Sequence, residues 1–214
     1  MSMRTKMPSK FLSLVADYYS DKLAKYGLTP QGVDWNGKKS QELRFEQLCK
    51  IINSAKGFSV NDLGCGYGAM FEFLDERYSE FTFNGFDISE NMIKASSQRF
   101  KTRNNAHFSV GDCPSEIADY SIASGIFNVK LQQNDMEWLQ YIYQTLNVLN
   151  EYSRLGFSFN CLTSYSDKDK MRDYLYYADP CVVFDHCKRN FSRNVALVHD
   201  YELFEFTIIV RKQK

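Results

Sequence analysis

Apolar and polar positions alternate at helical period from Phe11 to Tyr26, and Gly27 with Pro30 closes that stretch, which predicts an amphipathic first helix. The loop Gln31–Gly37 then carries turn chemistry and one large aromatic, Trp35. Ser40 is placed to cap a second helix in which Phe45, Leu48 and Ile52 recur at helical spacing. Together these make a helical preface of about 55 residues. From Phe58 the apolar runs shorten. Phe58–Leu63 predicts a strand running into a glycine-rich loop, and Met70–Tyr78 the helix after it. Phe81–Asp87 predicts a second strand, and Ser89–Phe100 a helix with Ser89 as N-cap. Ala106–Val110 and Tyr120–Phe127 read as the third and fourth strands, and Leu155–Cys161 as the fifth. Before that fifth strand, Asp135–Asn150 predicts a long helix with Trp138, Ile142, Leu146 and Leu149 on one face.

Strands alternating with helices imply a parallel sheet covered on both faces. The tail breaks the alternation. Val195–His199 and Leu203–Val210 are apolar runs separated only by Asp200-Tyr201-Glu202, a connection that suits an antiparallel hairpin. There is no internal repeat and no low-complexity segment, so one domain is the simplest account.

Composition narrows the function classes. At 214 residues the chain is long enough for one α/β domain with a sizeable core. Lysine plus arginine and aspartate plus glutamate both number 26, and this balance disfavours a nucleic-acid partner, which usually leaves a basic footprint. The six cysteines are scattered without a C-x-x-C pair. Only Cys181, His186 and Cys187 lie close together, so no metal site is expected. Reduced thiols fit a cytoplasmic location. The N-terminal MSMRTKMPSK leads into an apolar run too short for a signal core, and no stretch approaches the roughly 20 apolar residues of a membrane helix.

Candidate chemistry concentrates at strand ends. Gly64, Gly66 and Gly68 follow the first predicted strand and precede a helix, where glycine lets the backbone turn sharply and admits a ligand to the peptide groups without a Cβ in the way. Asp87 ends the second strand about twenty residues further on, where a carboxylate can accept both hydroxyls of an adenosine ribose; a helix N-terminal aspartate is the plainer alternative. Val110-Gly111-Asp112-Cys113 ends the third strand, where an acid can take an adenine amino group or serve as a turn residue. Ser124 and Gly125 stand at the fourth-strand end, the edge at which open α/β sheets bind ligands. Gly64, Gly66 and Ala69 also satisfy the dinucleotide fingerprint G-x-G-x-x-G/A, so the loop alone admits NAD. Asp62 tilts the choice, because its carboxylate two residues before the first glycine complements the ammonium of a methionine-type ligand.

Asp62-Leu63-Gly64-Cys65-Gly66-Tyr67-Gly68 resembles motif I of the class I S-adenosylmethionine-dependent methyltransferases. Phe86-Asp87-Ile88-Ser89 followed by Met92 resembles their acidic second motif, Gly111-Asp112-Cys113 their third, and Tyr201–Thr207 their antiparallel last hairpin. The resemblance implies a Rossmann-like, doubly wound, mostly parallel seven-stranded sheet with an antiparallel C-terminal hairpin and an N-terminal helical lid. It divides one methyltransferase domain, residues 1–214, into a lid (1–56), a cofactor-binding core (57–162), a substrate-side insertion (163–194) and the hairpin (195–214). It implies S-adenosyl-L-methionine as cofactor, with Gly64, Cys65, Gly66 and Gly68 under its methionine portion, Asp87 and Ile88 at the ribose, and Asp112 and Cys113 framing the adenine. Ser124 would lie beside it, and Arg44, on the helix before the first strand, is expected to pair with its carboxylate.

The acceptor is less legible. A sulfonium is already activated, so the protein mainly aligns and desolvates, and a base is needed only where the nucleophile must lose a proton. Neither the Asn/Asp-Pro-Pro-Tyr/Phe pattern nor a Pro-Cys follows the fourth strand. A small-molecule acceptor is therefore expected, handled by a monomer or homodimer; a protein methyltransferase or a catalytically silent cofactor-binding module is the alternative. Tyr18, Tyr19 and Trp35 are candidate lid residues, and Tyr165, His186 and Arg193 the polar candidates of the late insertion, with Tyr165 and His186 the catalytic candidates.

Overall fold

The computed structural model describes residues 9–35 and 37–213. The basic start of the chain and Asn36 of the predicted loop lie outside the described residues.

Seven strands form one sheet: β1 (Phe58–Leu63), β2 (Phe81–Asp87), β3 (Ala106–Val110), β4 (Ala118–Ala123), β5 (Ser153–Leu162), β6 (Asn194–Val198) and β7 (Glu205–Arg211). Their order is β3-β2-β1-β4-β5-β7-β6. The first five pair in parallel, and β7 inserts antiparallel between β5 and β6. The chain order reverses between β1 and β4, so the loops after those two strands diverge and leave a crevice at their carboxyl ends.

Among the described residues the α-helices are α1 (Ser9–Tyr26), α2 (Lys38–Cys49), α3 (Ala69–Asp75), α4 (Glu90–Arg99), α5 (Asp135–Glu151) and α6 (Pro180–Asn190). Side-chain alternation along the strands divides the core into two layers. On one face, Phe157 and Phe159 of β5 and Phe206 and Ile208 of β7 meet the apolar stripe Trp138, Ile142, Leu146 and Leu149 of α5. On the other, Val60, Phe83 and Ile122 meet Leu48 of α2 and Phe71 of α3. The Trp138 indole, almost wholly buried, donates to the Phe127 carbonyl at 2.8 Å, which satisfies its one polar atom. No helix among the described residues is long and apolar enough to cross a membrane.

Several predicted boundaries move, each for a local reason. Gly37, not Ser40, is the cap residue of α2; the Ser40 hydroxyl lies inside the first turn and donates to the Gly37 carbonyl. β4 ends at Ala123 instead of Phe127, because Gly125 takes a φ of 78° and turns the chain off the sheet. The tail hairpin opens wider than three residues, since β6 stops at Val198 and β7 starts only at Glu205. α6 was not predicted at all, although Asp179 accepts from the amides of Cys181 and Val182 and Pro180 occupies the first turn. Ser89 caps α4 as expected, accepting from the Met92 amide at 3.3 Å.

Phe159 is fully buried and meets Phe127 edge-on at 5.6 Å. Phe159→Ala should destabilise the protein by about 3–5 kcal/mol in chemical denaturation, through lost apolar burial and the cavity left behind. A loss below about 1 kcal/mol would show that the α5 layer is not the packed core described here.

Candidate functional site

The glycine loop is fastened to the end of β2 by its own amides. Gly64 and Cys65 donate to the Phe86 carbonyl at 2.7 and 3.0 Å, and Gly66 donates to Oδ2 of Asp87 at 2.9 Å. Gly64 sits at φ 80°, and a Cβ there would run into the Ile126 side chain. Both the backbone conformation and the space therefore demand glycine. Gly68 has a different duty: it opens α3 at φ 83° and packs under Phe100 and Phe108.

Around this loop lies a cavity of about 780 Å³. Its floor comprises Asp62, the loop from Gly64 to Gly66, Asp87 with Ile88, and Ser124 at the end of β4. Gly111, Asp112 and Cys113 line one end, together with Gln144 and Val148 of α5. Leu12, Val15 and Tyr19 of α1 form the roof, and Trp35 and Gln41 close the side. A hydroxyl contact of 3.0 Å between Ser20 and Ser89 ties α1 to the start of α4.

Two carboxyls dominate the electrostatics. Asp62 is buried and its Oδ1 has no hydrogen-bond partner. Burial, reinforced by the nearby charge of Asp87, pushes its pKa from 3.8 up to about 8. Asp87 is also raised by burial, against the opposing pull of amides from Ser89, Gly66 and Ile88. Among the described residues no lysine, arginine or histidine lines the cavity beside this buried acid pair. Burial also raises the phenols that line the cavity, Tyr141 to about 12 and Tyr19 further, with the charges of Asp34 and Asp87 adding to the latter. Both stay protonated at neutral pH.

Not every expected residue arrives. Arg44 does not line the cavity: its guanidinium forms a buried ion pair with Glu205 of β7 and donates to the Ser40 carbonyl at 2.7 Å. The expected pairing with a cofactor carboxylate is thus replaced by a structural one. The same guanidinium stacks 3.9 Å over the Trp35 ring, which also fills the space where a Cβ on Gly125 would stand. Tyr165 is largely exposed and packs towards His199. His186 stacks on Tyr143 at 3.7 Å, burial lowers its pKa, and it belongs to a separate shallow pocket on α6. Neither catalytic candidate reaches the main cavity. Cys181 is exposed and lines the same pocket as His186, whereas Cys187 is buried; among the described residues no group of three or more His, Cys, Asp or Glu side chains could hold a metal ion. Tyr18 is engaged by Asp34, donating at 2.7 Å, but Tyr19 and Trp35 do line the cavity.

A methyltransferase-domain family model matches residues 60–152. A Mycobacterium tuberculosis (strain ATCC 25618 / H37Rv) protein provisionally named methyltransferase Rv1506c is 57% identical over 163 residues, covering 76% of this chain and 98% of that protein. The chain belongs to the class I S-adenosylmethionine-dependent methyltransferases. Among solved structures, magnesium protoporphyrin IX methyltransferase from Synechocystis PCC 6803 superposes with a TM-score of 0.69 at 13% identity, covering 98% of this chain and all of that one. The N-methyltransferase NodS of Bradyrhizobium japonicum WM9 gives 0.65 at 15%, covering 93% and 98%. At those identities the likeness speaks for the fold.

In this methyltransferase the raised Asp62 carboxyl would make the binding of an ammonium group beside it a proton-linked event. Folding raises its pKa, so stability of the ligand-free protein falls as pH climbs from 3.8 towards about 8, where the buried group is forced to ionise. A bound ammonium reverses the preference. Calorimetry with S-adenosylhomocysteine at pH 7, in buffers of different ionisation enthalpy, should record release of about one proton per site. The release should vanish in Asp62→Asn. Binding without proton release in the unaltered protein would contradict the assignment of Asp62.

Proposed function

We propose that this chain transfers a methyl group from S-adenosylmethionine to a small-molecule acceptor by direct displacement. The observation that carries the reading is the continuity of the cavity, which runs from the glycine loop to the apolar residues Leu12 and Val15 of α1 and so offers one space to donor and acceptor. Its walls fit the donor. The unpartnered Oδ1 of Asp62 suits the ammonium, and the loop from Gly64 to Gly66 admits the methionine portion without a Cβ in the way. Each Asp87 oxygen accepts a backbone amide and keeps a further lone pair for a ribose hydroxyl. Asp112 and Cys113 frame the adenine, Ile88 lies with Asp87 at the ribose, and Ser124 lines the same cavity at the end of β4. The structural neighbours described above were solved with S-adenosylmethionine or S-adenosylhomocysteine bound, and the acceptor named for one of them is a small molecule.

Bound there, S-adenosylmethionine supplies a methyl group on a sulfonium, so an acceptor lone pair in line with the carbon–sulfur bond suffices. The chain's residues do the rest. Leu12, Val15, Tyr19 and Trp35 exclude water and hold the acceptor against the loop. Residues 1–56 act as lid, 57–162 as cofactor-binding core, 163–194 as substrate-side insertion and 195–214 as hairpin of one domain. The chain works without a metal, as a monomer or homodimer in the cytoplasm.

Incubation with methyl-labelled S-adenosylmethionine and a metabolite extract should place label in low-molecular-weight products. Label confined to protein, or tight binding with no transfer, would overturn the small-molecule reading. Asp87→Ala should weaken S-adenosylhomocysteine binding about 10- to 100-fold, the loss of hydrogen bonds to a charged group. Unchanged affinity in calorimetry would remove Asp87 from the site.

A further inference from the structure

Residues 33–35, between α1 and α2, lie across both loops that frame the crevice. Val33 sits against Gly66, where a Cβ would come 3.1 Å from its Cγ1, and Trp35 sits against Gly125, where a Cβ would come 2.4 Å from the indole. Between them Asp34 takes a φ of 64° and ties the segment to α1, accepting from Tyr18 at 2.7 Å and from Lys22 at 2.6 Å. Trp35 is held from further directions. Its amide donates to the Pro30 carbonyl at 2.8 Å, and the Arg44 guanidinium lies 3.9 Å over its ring. Arg44 is itself fixed by the buried carboxylate of Glu205, whose second oxygen accepts from Asn160, and the Asn160 carbonyl accepts from Gly125 at 2.8 Å. One polar chain therefore holds both the face of the indole and the turn against its edge. A large side chain free to swing would adapt to whatever enters the cavity. A clamped one subtracts its volume from the space.

We propose that Trp35 is a specificity-determining residue of the transfer: its indole sets the size of acceptor that fits beside the turn after β4, and Arg44 is the positioning residue that holds it there. The proposal rests on the methyl-donor reading of the glycine loop. It also gives the buried ion pair a purpose, since such pairs seldom add much stability over apolar replacements. A planar guanidinium does what a lysine cannot, offering an ion pair to Glu205 and a flat face to the ring at once. Acceptor choice then depends in part on Arg44, which does not line the cavity.

Two fluorescent probes that differ by one phenyl ring, 1-naphthylamine and N-phenyl-1-naphthylamine, measure the space. Each is titrated into the full chain saturated with S-adenosylhomocysteine. Trp35→Ala should raise the affinity for the larger probe relative to the smaller by about tenfold, the gain from burying a ring where the indole stood. Trp35→Phe should fall between. Arg44→Lys keeps a charge for Glu205 but loses the stack, so it should move the ratio the same way by at least about twofold. The fluorescence anisotropy of Trp35, isolated in a Trp138→Phe background, should drop in Arg44→Lys. An arginine that only stabilised the fold would lower stability and leave both the anisotropy and the ratio unmoved. A ratio unchanged in Trp35→Ala would overturn the proposal, and an unchanged ratio and anisotropy in Arg44→Lys would remove Arg44 from it. S-adenosylhomocysteine binding to the unaltered protein is measured separately by calorimetry. If it is absent, the donor reading fails and the proposal falls with it; if it is present and the ratio does not move, only the role of Trp35 is wrong.

Discussion

Three consecutive amides of the loop after β1, those of Gly64, Cys65 and Gly66, are captured by the Phe86 carbonyl and the Asp87 carboxylate at the end of β2. The other features of the site depend on this attachment. It fixes the left-handed turn that brings Gly64 against Ile126, and so sets the distance between the loops after β1 and β4. It also draws Asp87 inward, beside an Asp62 that already has no partner. The crevice at the reversal of strand order would exist in any sheet of this topology. What sets this crevice apart is that two acids are buried there, Asp87 accepting backbone amides while Oδ1 of Asp62 has no hydrogen-bond partner.

A second constraint acts from the far side of the sheet. Glu205 of β7 takes Arg44 on one oxygen and the Asn160 amide on the other, while the Asn160 carbonyl accepts from Gly125 at 2.8 Å. This buried chain links α2, β7, β5 and the turn after β4, and Trp35 is pressed between its two ends. Buried ion pairs seldom add much stability over apolar replacements, but they fix geometry, because breaking one strands a charge. Here the geometry fixed is that of the cavity's side wall.

Much of this was legible in the sequence. The glycines, Asp62, Asp87 and Gly111-Asp112-Cys113 lie at strand ends whose periodicity is plain, and strand ends in this fold face one crevice. The stripe Trp138, Ile142, Leu146, Leu149 announced α5 and its buried face. Arg44 was not legible, because its partner Glu205 lies 161 residues away and only the insertion of β7 beside β5 brings them together. That Tyr165 and His186 lie away from the main cavity was not legible, because a polar residue in a loop-like stretch gives no sign of which way its backbone points. α6 carried its signals in Asp179-Pro180, yet they stand in a segment without strong periodicity. The contribution of α5 to the cavity, through Tyr141, Gln144 and Thr145, has no signal in the apolar stripe that marks its buried face.

A crystal structure of the chain with S-adenosylhomocysteine tests the central claim most directly. The account predicts the ligand's ammonium at hydrogen-bond distance, about 3 Å, from Oδ1 of Asp62, its ribose hydroxyls at Asp87, and its sulfur facing the α1 roof. A ligand bound elsewhere, or one that leaves Asp62 still unpartnered, would contradict it.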